Sequence, residues 1–392
     1  MNLISVRAVW HRLKRRCGTG FWPVRGTAFQ AVCKRVGCVG KRTMPRIDTL
    51  RECFTWNDWG REKLLAAAAG LRDEQLDRPM EMGEGSLRAT FQYLYGAERI
   101  WLERWRGTPQ DQFPHARTVR RLDELRRAFC ELAAARTADL AAADLQRPVT
   151  YTAIPDGKTY THRLGDILLH VCNHGVHHRA QAVNMLRQLG AATPKPGLDY
   201  IFMKLEQAER GETGTPALDR ATLADYFAYG DWARLKIHAA AATLAPAQLD
   251  RPFDLGLGTL RATLAHIQLA EQWWYENWTR GPGQLFPPVD PQASIADLTR
   301  QFDETAGRRN AFLAWLSDGD LARATTATPR PGIHRTFPLG VTMLQLCGHG
   351  THHRAQALNM LRQLGADVPA LDYVMMLRSG SPTASSPQCR LE

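Results

Sequence analysis

The sequence predicts an all-α protein made of two tandem four-helix up-down bundles. Three observations carry this: a long internal repeat, apolar positions at helical spacing, and glycines where long helices should stop. The 392 residues are 44% hydrophobic and 23% charged. That is the balance of a chain with buried cores, not of a disordered or collagen-like one. No apolar run nears the roughly 20 residues of a membrane span, so no membrane partner is expected.

The repeat organises the body. HGVHHRAQAVNMLRQLGA from residue 174 returns as HGTHHRAQALNMLRQLGA from residue 349, identical at sixteen of eighteen positions. Upstream, QLDRP recurs at residues 75 and 248, and LRAT at 87 and 260, each shifted by 173. Near the histidines the shift is 175, so one loop differs by two residues. A period this long is a duplicated domain, not a solenoid. Copy one is expected at residues 45–207, a polar linker at 208–217, copy two at 218–378 and a Ser/Pro-rich disordered tail at 379–392.

Within copy two, helices are expected at about residues 222–243, 259–280, 294–317 and 341–364. Gly365 and, in copy one, Gly190 follow the fourth helix, where a left-handed terminating residue belongs. Residues 150–163 alternate in polarity around Asp156-Gly157, which marks a hairpin turn. Asp199-Tyr200 and Asp372-Tyr373 follow each fourth helix, and each Asp is expected to cap the next segment.

The net charge of +11 is concentrated at the start. Residues 1–43 hold ten Lys and Arg and no acid, which leaves 40 basic against 39 acidic residues elsewhere. The basic pI therefore gives no reason to place a nucleic-acid groove in the folded body. Residues 1–44 read as a disordered arm or a misassigned start, with a transit peptide or a binding arm as alternatives. Eight cysteines without CxxC spacing fit a reduced, cytoplasmic setting.

The chemistry lies in the histidines. Seven of thirteen fall in the two fourth helices: His170, His174, His177, His178, His349, His352 and His353. His349 and His353, spaced i, i+4, share one helix face and suit two imidazoles on one divalent metal ion. In an antiparallel arrangement His266, on helix two, can complete a three-histidine site with an open position for water or substrate. Copy one has Tyr93 in the place of His266, and a phenol is a poor ligand at neutral pH. His174 and His178 remain there with His170 as a possible substitute, so the first site is expected to be degenerate.

Other residues have softer readings. His177 and His352, one step off the ligand face, point to solvent or support a ligand. Arg179, Arg354, Gln181 and Gln356 either bond across the bundle or orient an imidazole or an anionic substrate. Glu271 is a possible base near a metal-bound water, or a paired carboxylate. Glu271 and Arg354 are thus the weak catalytic candidates. Trp273, Trp274 and Trp278, like Trp101 and Trp105, are core or pocket wall.

The pattern HxxNHxxHHRxQxxxxLRQLG over residues 170–190, with His266 ahead of Glu271 and Trp274, resembles the DinB/YfiT-like family of four-helix-bundle metalloproteins. The resemblance covers both copies. It implies a zinc or nickel ion on His266, His349 and His353, with only His174 and His178 matching in copy one. The fused copies resemble the family dimer made in one chain, an internal pseudo-dimer. Thiol S-transferases and a maleylpyruvate isomerase occur in the family. The function expected is a metal-dependent enzyme that activates a thiol or water toward a small-molecule substrate, as an S-transferase or a hydrolase. The alternative is a non-catalytic, metal-stabilised stress-response or interaction module.

Overall fold

The computed structural model describes residues 45–108, 119–154, 156–212 and 214–379. The readings for residues 1–44 and 380–392 lie outside them. Copy one comprises α1 (Ile47–Ala68), short α2 (Asp73–Leu76), α3 (Leu87–Trp105), α4 (Leu122–Leu140), the strands β1 (Pro148–Thr152) and β2 (Thr159–Arg163), α5 (Leu164–Gln188) and α6 (Tyr200–Glu209). Copy two repeats this order as α7 (Arg220–Ala241), α8 (Pro246–Leu249), α9 (Leu260–Arg280), α10 (Ile295–Trp315), β3 (Ala324–Arg330), β4 (Ile333–Pro338), α11 (Leu339–Gln363) and α12 (Tyr373–Ser379), with a 3-10 turn at Asp318–Ala322. No described helix is long and apolar enough to cross a membrane.

Local chemistry sets the helix ends. Ser86, Asp219, Thr259 and Ser294 each accept a first-turn backbone N–H through the side chain, satisfying donors that a helix start leaves unpaired. After α5, Gly190 takes a φ of 70°. Ala191 N–H then donates to Leu186 O and Gly190 N–H to Arg187 O, both at 3.0 Å, which satisfies carbonyls at the helix end. Gly365 ends α11 in the same way with a φ of 72°. The hairpin at Asp156-Gly157 forms, with Gly157 at a φ of 64°. Copy two has its own hairpin, turning at Gly332.

The all-α tandem architecture holds, but strict up-down alternation does not. On α9 and α11, Thr263 meets Met360, His266 meets His349, and Trp278 meets Thr342. As one number rises the other falls, so these helices are antiparallel. On α9 and α10, Glu271 meets Arg309 and Tyr275 meets Phe312; both numbers rise, so these two run parallel. The order is therefore up-down-down-up. Residues 281–294 make this possible. Fourteen extended residues reach further than the roughly 30 Å length of a 21-residue helix, so the chain returns to the starting end before α10.

The copies meet along α5 and α11. Gly348 on α11 lets Trp56 of α1 approach the backbone so closely that a Cβ there would lie 2.1 Å from its ring. Trp56 is fixed by its N–H bond to Leu198 O at 2.9 Å. Each short helix after a bundle then crosses over: α6 packs on α11 of copy two, and α12 on α5 of copy one.

Candidate metal centre

His266 lies two turns into α9, and His349 and His353 lie on consecutive turns of α11. Because α9 and α11 are antiparallel neighbours, all three rings meet on one seam. Ring centroids are 5.0 Å apart for His266 and His349, 4.7 Å for His266 and His353, and 4.4 Å for His349 and His353. The Nε2 atoms of His266 and His349 are 3.0 Å apart. One ligand nitrogen from each ring lies within 4.8 Å of the others. Tetrahedral zinc with nitrogen ligands at about 2.0–2.1 Å needs nitrogens roughly 3.3 Å apart, so the donor set fits a cation of this kind.

The proton positions fit as well. An amide oxygen only accepts, so His353 Nδ1–H donates to Gln356 Oε1 at 2.7 Å. Gln356 Nε2–H donates in turn to His352 Nε2 at 3.0 Å. His349 Nδ1–H donates to the Asp199 carboxylate at 3.2 Å. Both rings thus keep the proton on Nδ1 and present a bare Nε2 to the seam, the form a metal ligand requires. Burial, reinforced by His349, pushes His266 down to about 4. Burial first, then the neighbouring histidines, holds His353 well below its ordinary value.

Asp199 belongs to copy one and does not cap α6, whose first turn receives no side-chain bond from it. The expected cap is replaced by a longer reach: the carboxylate accepts from Gln345 Nε2 at 2.8 Å and from His349. Burial raises its pKa, but the His349 ring and the Gln345 amide outweigh this and hold it down to about 2. A residue 150 positions away in sequence thus orients a ring of the second copy's triad. Asp199→Ala is expected to weaken metal affinity about 10–100-fold without unfolding the chain. Zinc titration against a competing chelator measures this, and an unchanged affinity would remove Asp199 from the site.

Copy one keeps part of the arrangement. His178 Nδ1 bonds Gln181 at 2.8 Å, and Gln181 bonds His177 at 3.1 Å. Tyr93 occupies the place of His266, its ring 4.9 Å from His178 and 5.5 Å from His174. Burial pushes its hydroxyl pKa up, so it stays a neutral phenol. His170 stacks edge-on against Trp101 at 5.0 Å, and its Nδ1 is buried without a partner. Among the described residues the trio of His266, His349 and His353 has no counterpart built from His170, His174 and His178.

The two weak catalytic candidates are engaged elsewhere. Glu271 accepts from Arg309, whose guanidinium also bonds Asp231 at 2.6 Å. The same buried grid recurs in copy one, where Glu98 accepts from Arg61 at 2.8 Å and Arg136 at 3.2 Å. The grid is present beside Tyr93 as well as beside His266, which is the paired-carboxylate reading of Glu271. Arg354 donates to Thr351 Oγ1 at 2.9 Å and lies over the Tyr229 ring; Arg179 donates to Asn57. Both bond inside the bundle rather than holding an imidazole. That task falls to Gln356 and to Asp199. The sequence carried no signal for Asp199 beyond its recurrence as Asp372.

A cleft of about 760 Å³ opens beside the triad, with His266 and His349 in its wall. Trp273 and Trp274 are buried yet also line it, so they are core and pocket wall at once. Trp278 is core, its N–H on Thr342 at 2.9 Å.

The DinB family model matches residues 44–212 and again residues 218–384. No curated protein and no solved structure matches the chain significantly. The two matches take in both repeats and well over half of the sequence: the chain belongs to the DinB family, as a tandem pair of its domains.

Proposed function

We propose that the chain is a metal-dependent enzyme of one active centre, in copy two, that activates a thiol or water toward a small-molecule substrate. The observation that carries this reading is the open cleft on the triad: three imidazoles are placed to hold a cation, and the space beside them is large enough for a substrate. A divalent ion, zinc or nickel, supplies a lowered pKa for a thiol or water in contact with it. The chain's own residues do the rest. Asp199 and Gln356 keep Nδ1 protonated on two rings. Trp273, Trp274 and Phe286 exclude water from the far side of the cleft. Copy one, with Tyr93 in the third position, serves as scaffold and donor of Asp199.

A thiol S-transferase or a hydrolase fits this arrangement. The four cysteines among the described residues are free, in keeping with a reduced, cytoplasmic setting. The non-catalytic alternative has no need of a cleft. Cobalt-substituted protein titrated with 2-mercaptoethanol separates the two. A new sulfur-to-cobalt charge-transfer band is expected; a visible spectrum indifferent to thiols and to other added ligands would contradict substrate access to the ion.

A further inference from the structure

The cleft has a direction. From His266 its wall follows α9 to Trp273, seven residues or roughly 10 Å along the axis. On α11 it follows the antiparallel path from His349 to Gln345. It ends at the β3–β4 hairpin, where Ala327 pairs with Arg335 and Arg330 with Ile333. The stretch between is apolar, lined by Trp273, Trp274, Phe286 and Phe337.

Its charges are unbalanced. Three basic side chains line it: Lys195, Arg330 and Arg335. None has an ion-pair partner among the described residues, and Arg335 bonds only the adjacent carbonyl of His334 at 3.3 Å. Of the three acids lining the cleft, Asp199 is taken by His349 and Gln345. Glu206 is taken by Lys63 at 2.9 Å and Arg210 at 2.8 Å. Glu209 alone faces the three cations.

The corresponding hairpin of copy one is lined differently. By strand register, Tyr151 paired with Tyr160 in copy one stands where Ala327 paired with Arg335 stands in copy two. Arg378, reaching over from α12, lies 4.1 Å above the Tyr160 ring and donates to the Tyr151 hydroxyl at 3.3 Å. Copy one fills with its own tyrosines and a borrowed guanidinium the space that copy two leaves to a ligand.

We infer that the cleft binds an elongated organic carboxylate with an apolar body, its anionic end on Arg330 and Arg335 and its other end at the imidazole triad. The apolar walls take the body and the unpaired guanidiniums take the carboxylate. The inference deepens the proposed function and rests on it only for what happens at the triad end.

Decanoate, decanol and acetate serve as probes, with the tryptophan fluorescence of the zinc-loaded full chain, to which Trp273 and Trp274 in the cleft wall contribute, as the readout. Decanoate is expected to bind saturably and acetate not at all. The double substitution Arg330→Gln, Arg335→Gln is expected to weaken decanoate about tenfold or more and to leave decanol unchanged. Ala327→Tyr, copying the side chain of the closed copy, is expected to abolish binding of both while metal content stays the same. Decanoate binding that survives the double substitution, or acetate that competes with it at similar concentration, would overturn the inference, because the anion would then sit on the cation. The cobalt spectrum is read separately. Arginine-dependent decanoate binding with a thiol-indifferent spectrum would spare this inference and defeat the proposed reaction; the converse pattern would do the reverse.

Discussion

His353→Ala is expected to strip the protein of its bound ion, while His178→Ala leaves the stoichiometry unchanged. The asymmetry follows from geometry. His353 has two partners on one seam, His266 and His349, with ring centroids at 4.7 and 4.4 Å. His178 has His174 at 4.4 Å and then a tyrosine. A structural four-ligand zinc site gains about 10–16 kcal/mol, or roughly 3 kcal/mol per ligand if shared evenly. Loss of one imidazole of three should therefore cost about a hundredfold or more in affinity, enough to empty the site during purification. His266→Tyr, which copies the arrangement at Tyr93, should do the same. Metal analysis of the three variants checks this. Equal loss in His178→Ala and His353→Ala would mean that both copies share the ion or that each holds one.

Arg309→Ala is expected to destabilise copy two by about 3–5 kcal/mol, the cost of breaking a buried ion pair from one side. The Arg309 side chain is only 1% exposed, between Glu271 and Asp231, and lies over the Phe227 ring at 4.4 Å. Its removal strands two acids and leaves a cavity. Against a total of about 5–15 kcal/mol for a domain, that is a large fraction. Urea unfolding measures it. The double variant Glu271→Gln, Arg309→Met should recover part of the loss, since the more deeply buried acid is neutralised and only Asp231, 22% exposed, keeps an unpaired charge. A change below about 1 kcal/mol in Arg309→Ala would mean that the grid is solvated and would return Glu271 to the catalytic candidates.

Much of the site was legible because helical spacing is local. The i, i+4 step of His349 and His353 fixes their common face without any knowledge of the fold. His266 stood out as a histidine on the second helix of the same repeat unit, able to face the fourth. Gly190 and Gly365 marked helix ends for the same local reason. What escaped was set at long range. Asp199 looks like a cap because the residue after it starts a helix; only the crossing of α6 onto α11 brings it to His349. The up-down-down-up order depends on how far residues 281–294 travel, and composition does not encode that path. The contrast of Tyr151 with Ala327 was hidden by the length difference between the copies, which shifts the repeat register inside the hairpin. The Glu98 and Glu271 grids escaped too, since each joins residues on different helices with no fixed spacing.

X-ray absorption at the metal edge of the zinc-loaded full chain tests the central claim most directly. One ion per chain is expected, with three imidazole nitrogens at about 2.0–2.1 Å and no thiolate from the protein. Two ions per chain, or a shell with fewer than three imidazoles, would contradict it.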